Sequence, residues 1–303
     1  MRIAILSKSP QLYSTQSLFR AGTERGHSVQ VMDISQCALG MFNGRPEVFY
    51  EGLTLLGLDA VIPRIGTSVT QEGIALISQF ENMGIFCSTS SQGLWQARDK
   101  LRSLLLLQRY GIPVPNTMYP VAGLDLESVV DSLGGYPVVI KMIESTHGIG
   151  VMLGETLQST RATLEAFQQL NTRVVLQEFI REAQGTDVRA FVVNGEVVAS
   201  MQRIAREGEF RSNLHRGGFA VPIQLSAEER HIAIQAASVM GLKVAGVDLL
   251  RSKRGPLIME VNASPGLEGI ETTTGVDVAG CIIQFVEDHA EVNHFSARSP
   301  QAR

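Results

Sequence analysis

Two carboxylates and an amide stand close together near the C-terminal end of the chain, inside runs apolar enough to be buried. Asp248 sits in the β-like run from Val244 to Leu250, and Glu260 and Asn262 sit in Leu257-Ile-Met-Glu-Val-Asn-Ala263. Ile258, Glu260 and Asn262 recur at period two, which predicts one shared face in an extended strand. The turn Lys253-Arg254-Gly255-Pro256 leads from the first run into the second, and pairing them as a hairpin brings Asp248 beside Glu260 and Asn262. Hard oxygen ligands with two negative charges suit Mg²⁺ shared between protein and the phosphates of a nucleotide. The alternative is a hairpin with its polar residues facing water. That does not account for acids inside such apolar runs, where carboxylates rarely lie without a partner.

A second set of residues suits the nucleotide itself. Val138-Val-Ile-Lys141 is an apolar strand with one lysine, followed by a loop, residues 144–151, that contains Gly148 and Gly150. A cation on a buried strand needs an anion opposite, and small loop residues let backbone N–H groups fold over phosphate oxygens. A surface lysine beside a plain glycine turn is the bland reading. Glu178 and Phe179 end an apolar strand begun at Val174, the kind of edge where backbone groups and apolar side chains hold an adenine ring. Asp187 suits a pair of ribose hydroxyls, and Arg189 lies on the same strand face. A solvated strand end for Glu178 and a turn position for Asp187 remain open. From Arg203 to Arg216 the chain carries four arginines and His215, then Gly217-Gly218. Triphosphate, metal and carboxylate substrates need guanidinium forks, and they are concentrated here.

These residues must be positioned by α/β elements. Residues 1–95 alternate strand and helix: a strand at Ile3–Leu6, a helix from Tyr13 to Arg25, strands at Val29–Met32 and Asp59–Ile62, a helix from Ile74 to Met83 and a strand at Ile85–Cys87. That alternation implies a small parallel sheet. The first turn, Ser7-Lys-Ser-Pro-Gln-Leu12, lacks the G-x-G-x-x-G of a dinucleotide site, which disfavours a nicotinamide oxidoreductase. A helix from Gln96 to Arg109 follows. Residues 115–190 read as strand, helix, strand, glycine turn, strand, helix, strand. A hairpin about Asn194-Gly195, the basic loop, a helix from Ala227 to Met240, the acidic hairpin and a last helix from Val276 to about Ala290 complete the pattern. Residues 291–303 read as a disordered tail.

Composition narrows the class. Lys plus Arg number 26 against 30 Asp plus Glu, a net charge of −4, so a general nucleic-acid binder is disfavoured. Cys37, Cys87 and Cys281 have no metal-like spacing and read as buried small hydrophobes in a reducing compartment. No signal peptide and no membrane-length apolar run is present, so a cytoplasmic protein is expected.

Taken together these residues resemble the ATP-grasp superfamily of carboxylate–amine ligases. The marks are Lys100 ahead of a helix, Lys141 with its glycine loop, the Glu178-Phe179 edge, and Asp248, Glu260 and Asn262, in order over residues 95–288. The N-terminal unit looks like the preATP-grasp domain found beside it. Pro63-Arg-Ile-Gly-Thr67, Ala97-Arg-Asp-Lys-Leu-Arg-Ser103, Phe210-Arg-Ser-Asn-Leu-His-Arg-Gly-Gly218 and Met259-Glu-Val-Asn-Ala-Ser-Pro-Gly-Leu-Glu-Gly-Ile270 look like its RimK branch. The resemblance implies an ATP-grasp fold, two α+β subdomains gripping ATP, one at about 115–180 with the glycine loop and one at about 181–290 with the metal ligands. It implies ATP contacts at Lys100, Lys141, Gly148, Gly150, Glu178, Phe179, Asp187, Arg211, Ser212 and Asn213. Two Mg²⁺ ions, with Mn²⁺ as a substitute, would lie on Asp248, Glu260 and Asn262, and Arg203 or Arg216 would neutralise developing charge. An aromatic with a hydroxyl is also usual where Phe179 stands. The activity implied is addition of L-glutamate to the C-terminal carboxylate of the sixth small-subunit ribosomal protein through an acyl phosphate, extending to short oligoglutamate, by a homo-oligomer such as a tetramer. A ligase for another acceptor, such as an amino-group carrier protein or a small metabolite, and a non-catalytic ATP-binding module are the rivals.

Overall fold

Strand β1 (Arg2–Ser7) carries Ile3, Ala4, Ile5 and Leu6 fully buried in succession, the pattern of a strand covered on both faces. The computed structural model describes residues 1–119, 125–143, 150–212 and 217–291. The chain divides into two compact units, residues 1–91 with the segment from 277 onward, and residues 92–276. No described helix is long and apolar enough to cross a membrane.

In the first unit, α1 (Tyr13–Glu24) returns the chain so that β2 (Ser28–Met32) pairs parallel with β1. Strands β3 (Cys37–Phe42), β4 (Arg45–Tyr50) and β5 (Leu53–Thr54) form a separate antiparallel sheet. Then come β6 (Ala60–Arg64), α2 (Thr70–Asn82) and β7 (Phe86–Cys87). The order β2-β1-β6-β7 is parallel throughout, as the alternation of elements predicts. The β3-β4-β5 sheet has no counterpart among the expected elements. Its turn, Asn43-Gly44 with φ of 51° and 74°, is nonetheless a strong hairpin signal. The three cysteines are free and half-buried rather than fully buried.

The second unit opens with two helices where one is expected. Asp99, extended at φ −97° and ψ 110°, separates α3 (Ser91–Arg98) from α4 (Lys100–Arg109) and caps the latter by accepting from the Arg102 amide at 2.9 Å. Lys100 therefore begins a helix at a fixed position. Strand β8 (Thr117–Met118), α5 (Leu126–Ser132), β9 (Val138–Met142), β10 (Val151–Gly154), α6 (Leu157–Gln169) and β11 (Val174–Glu178) follow. The four strands form an antiparallel sheet ordered β10-β9-β11-β8, with Val130, Leu133, Ile140 and Leu176 in its core. A second layer contains β12 (Thr186–Val193), β13 (Glu196–Ile204), β14 (Phe219–Pro222), α7 (Ala227–Val239), β15 (Val244–Ser252), β16 (Gly255–Asn262) and α8 (Glu268–Thr274). Its sheet is ordered β14-β13-β12-β15-β16, and the β12–β13 turn is the expected Asn194-Gly195, at φ 49° and 80°. Strand β14 and α8 were not among the expected elements.

The last helix, α9 (Val278–His289), belongs to the first unit. Its buried face, Val278, Ala279, Ile282, Ile283, Phe285 and Val286, has helical spacing. Close to that face, Gly22 of α1 leaves room: a Cβ there would stand 3.4 Å from Ile283 Cδ1 and 2.7 Å from Val29. At the rim, Glu287 accepts from Arg25 Nε at 3.0 Å, pairs again with Arg25 Nη2, and meets His27 Nε2 at 2.6 Å. Hydrogen bonds from Arg25 foremost, and from His27, hold the Glu287 carboxyl down to about 2. A carboxyl lowered on folding stabilises the native state above its unfolded value, and that contribution is lost as pH falls toward the folded value. Glu287→Gln is therefore expected to lower the melting temperature at neutral pH. Thermal unfolding followed downward in pH should show the gap from wild type closing between 4.5 and about 2.

Candidate active site

Strands β15 and β16 pair antiparallel with Asp248 opposite Glu260 and Gly246 opposite Asn262, the juxtaposition expected from the two apolar runs. The register shifts between Asp248 and Leu249, which pairs with Ile258, so Met259 is the extra residue of a bulge. This breaks the period-two phase: Ile258 is fully buried, whereas Glu260 and Asn262 are half-buried. Gly246 is needed for close approach, since a Cβ there would stand 2.7 Å from Pro265 Cβ. Two carboxylates and the oxygen of an amide form a hard donor set, which fits a divalent cation such as Mg²⁺. Among the described residues no group of three or more His, Cys, Asp and Glu could hold a metal, so the candidate set rests on these two acids and Asn262.

Asp248 is almost wholly buried and is held by two arginines. Arg189, its cross-strand partner on β12, donates from Nε to Oδ1 and from Nη2 to Oδ2, both at 2.7 Å. Arg203 Nη2 reaches Asp248 Oδ2 at 2.8 Å. The same Arg203 forms a fork on Asp187, its partner across β12 and β13, from Nε at 2.6 Å and Nη2 at 2.8 Å. Ser212 donates its hydroxyl to Asp187 Oδ2. Burial alone would push Asp248 up, but Arg189 and Arg203 outweigh it and hold the carboxyl below its usual range. Burial would likewise lower Arg203, and Asp248 with Asp187 raise it instead. The cluster is an alternating chain, Arg189, Asp248, Arg203, Asp187, closed by a hydroxyl, and all but the half-buried Arg189 are almost wholly buried.

Lys141 lies on β9, in the other sheet, and is buried with Nζ donating to Gln177 Oε1 at 2.5 Å. Gln177 in turn donates to Thr117 Oγ1 at 2.8 Å. Burial lowers the Lys141 ammonium to about 8, with Lys100 adding to the effect and Glu260, Asp187 and Asp248 opposing it. Lys100 and Arg98 are lowered by burial too, and in both Glu260 is the main charge acting the other way. Cations from α3, α4 and β9 thus share the field of Glu260. Gln177, Arg98 and the counter-ion role of Arg189 were not among the expected site features. A glutamine inside Val174-Val-Leu-Gln-Glu178 was the available signal for the first.

The remaining expected residues occupy the edges of the two sheets. The Glu178 carboxylate is engaged by the Asn116 amide at 2.7 Å, by Asn116 Nδ2 at 3.2 Å, and by Arg254 at the β15–β16 turn. Its side chain ties the segment before β8 and the β15–β16 turn to the end of β11. Phe179 packs edge-on to Phe210 at 6.4 Å. Arg211 donates to Glu209 at 2.7 and 2.9 Å and to the Val151 carbonyl at 3.0 Å, linking the basic segment to the strand after the glycine loop. That hydrogen bonding holds Glu209 down to about 2. Gly150 takes φ of 71°, and a Cβ on it would collide with the Met142 side chain. Gly148, Asn213, His215 and Arg216 lie outside the described residues, as do residues 292–303 of the expected tail.

A lysine lowered on folding destabilises the native state below its folded value, and the penalty is relieved as pH rises toward the unfolded value. Lys141→Met removes that ammonium, at the cost of leaving Gln177 Oε1 without its donor. The difference in stability, variant minus wild type, is therefore expected to fall as pH rises from about 8 to 10.5, by on the order of 2–3 kcal/mol. Denaturant unfolding of both proteins across that range measures it, and a flat difference would contradict a buried ammonium.

Residues 97–286 match the RimK-like ATP-grasp domain, and residues 1–94 match the RimK preATP-grasp domain. A probable alpha-L-glutamate ligase of Cellvibrio japonicus is 54% identical over 291 residues, covering 96% of this chain and 97% of that protein. Probable alpha-L-glutamate ligase 1 of Hahella chejuensis is 52% identical over 299 residues, 99% of each. Among solved structures, the ATP-grasp ligase PsnB bound to its minimal precursor superposes with a TM-score of 0.74 at 20% identity, covering 94% of this chain and 98% of that one. A RimK domain ATP-grasp protein of Sphaerobacter thermophilus gives 0.71 at 22% identity, covering 95% and 100%. These two share the fold, and the sequence relatives share far more than that. The chain belongs to the RimK family of ATP-grasp proteins.

Proposed function

We propose that this protein joins L-glutamate, through its amine, to the C-terminal carboxylate of the sixth small-subunit ribosomal protein, at the expense of ATP. The enzyme is an ATP-dependent carboxylate–amine ligase, and its relatives at 50–54% identity are named probable alpha-L-glutamate ligases. The observation that carries the reading is the pairing of Asp248 with Glu260, with Asn262 beside them and the Lys141 ammonium in the field of Glu260, Asp187 and Asp248. Such an arrangement serves a polyphosphate and a divalent cation together, and PsnB has been solved with Mg and ADP. The ribosomal acceptor rests on the resemblance of the segment Phe210–Gly218. Chain extension, Mn²⁺ as a substitute, a homo-oligomer and a cytoplasmic setting belong to the same proposal.

In this reading Asp248, Glu260 and Asn262 hold Mg²⁺, which when bound neutralises phosphate charge. Lys141, Lys100, Arg211 and Ser212 face phosphate oxygens with Gly150 beside them, and the resemblance adds Gly148 and Asn213 to these contacts. Asp187 accepts from ribose hydroxyls, and the backbone at Glu178 and Phe179 receives the adenine. The acceptor carboxylate attacks the γ-phosphorus, the bond to ADP breaks, and an acyl phosphate forms. The glutamate amine then attacks the acyl carbon, phosphate leaves with the bonding pair, and the amine gives up its proton. Arg203 or Arg216 offsets charge on the transferred group. Little covalent work falls to the protein, so positioning and fixed charge supply most of the catalysis.

Incubation with Mg-ATP, glutamate and the ribosomal acceptor is expected to add whole glutamyl residues, read as stepwise gains in intact mass. Glu260→Gln should fold and yet lose ligation by roughly a hundredfold or more, the several kcal/mol expected for a disabled metal site. Lys141→Ala should weaken ATP binding by about 1.5–3 kcal/mol, as for a lost charge-assisted contact. Normal turnover in the Glu260 variant, or no mass gain on this acceptor with gain on another, would overturn the site or the acceptor respectively.

A further inference from the structure

Both oxygens of Asp248 are occupied by guanidinium groups. Oδ1 accepts from Arg189 Nε, and Oδ2 accepts from Nη2 of Arg189 at 2.7 Å and Nη2 of Arg203 at 2.8 Å. A carboxylate oxygen has two lone pairs, so Oδ2 is filled, with Asn262 Nδ2 a more distant donor at 3.5 Å, while Oδ1 keeps one lone pair. Nη2 of Arg203 has two hydrogens and contacts both acids, Asp187 Oδ2 and Asp248 Oδ2, each at 2.8 Å. The four side chains balance in charge. A free dication arriving at Asp248 would leave a buried excess of positive charge whichever oxygen it met, and at Oδ2 it would also compete for lone pairs already filled.

The two arginines are not equivalent. Arg189 puts both its contacts on Asp248, whereas Arg203 gives that acid one N–H and keeps a fork on Asp187. Arg203 is the group that can leave Asp248 at the cost of a single hydrogen bond. A polyphosphate brings acceptors of the charge needed to draw it away, and it brings the negative charge that makes an added cation tolerable. Ribose hydroxyls offered to Asp187 would loosen the other end of the same guanidinium.

We propose that Arg203, with Arg189 fixing Asp248 from the far side, is a positioning residue that shuts Asp248 to free divalent cations until a nucleotide polyphosphate is bound. Metal binding at this carboxylate is thereby conditional on nucleotide. The inference rests on the assignment of Asp248 as a metal ligand in the proposed function.

The test is a Mn²⁺ titration of the full-length, nucleotide-free protein, reading free Mn²⁺ by electron paramagnetic resonance. Arg203→Gln is expected to bind Mn²⁺ at least about tenfold more tightly than wild type, because a buried competing cation has gone. Adding Asp248→Asn to that variant should abolish the gain. Arg203→Lys, which keeps the charge but cannot fork across two acids, should gain less, and it serves if the glutamine variant does not fold. Wild-type Mn²⁺ affinity in the folded variants, or a gain that survives Asp248→Asn, overturns the lock. Binding of a non-hydrolysable ATP analogue to wild type, with and without Mg²⁺, separates the two claims. Metal-independent binding there would sink the metal site itself. Metal-dependent binding alongside unchanged Arg203 variants would sink only the lock.

Discussion

Arg203 lies between two buried acids, and much of the second unit can be understood as the means of keeping it there. Unpaired, Asp248, Arg203 or Asp187 would be a buried charge without compensation, a loss of about 3–5 kcal/mol. The pairing is delivered by strand register: Asp187 lies opposite Arg203 and Arg189 opposite Asp248 in the same five-stranded sheet. A slip of one residue on β12 would turn both charges to the other face. The Asn194-Gly195 and Lys253–Pro256 turns set the two hairpins, and a one-residue shift in each, between Phe191 and Val192 and between Asp248 and Leu249, brings Arg203 opposite Asp187 and Glu260 opposite Asp248. Electrostatics and hairpin geometry therefore specify the same arrangement.

The two sheets of this unit divide the labour. One carries the acids on long paired strands, and the other carries Lys141 on a short sheet beside the glycine loop. Polar links between them include Glu178 to Arg254, the Ile258 amide to the Pro113 carbonyl at 2.8 Å, and Arg211 to Val151, and Phe179 against Phe210 adds an aromatic one. Hydrogen bonds of this kind hold two layers in register without fusing their cores. Lys141 carries the cost of this design, since its ammonium is buried and stays charged at neutral pH only against its desolvation. Groups tuned against stability in this way are concentrated at sites that bind or react.

Features set by local pattern were legible in the sequence. The parallel strands of the first unit, the Asn194-Gly195 hairpin and the Lys253–Pro256 hairpin that brings Asp248 near Glu260 follow from period, turn residues and short range. The bulge at Met259 that sets the two acids opposite each other does not. The division of one helix at Asp99 was missed because its apolar pattern runs on through a capping aspartate that an uninterrupted helix would also tolerate. The β3–β4 hairpin was missed although Asn43-Gly44 announces it, since Leu39, Met41 and Phe42 remain exposed and give no buried stripe to read. Long-range outcomes were not legible at all. Nothing in the local sequence ties Glu287 to Arg25 and His27, or sends Arg203 to two acids rather than to solvent. The basic segment concentrates guanidinium groups, and its sequence does not show that two of its described arginines, Arg203 and Arg211, pair with acids of the protein.

The central claim is that these groups activate an acceptor carboxylate, and the origin of the oxygen in the released phosphate tests it most directly. With heavy oxygen placed in the terminal carboxylate of the acceptor, one labelled atom should appear in inorganic phosphate for each glutamate added, because the attacking oxygen stays with phosphorus when the amine displaces it. Label arriving from the carboxylates of glutamate, with none from the acceptor, would contradict the account and would mean that glutamate is the activated partner.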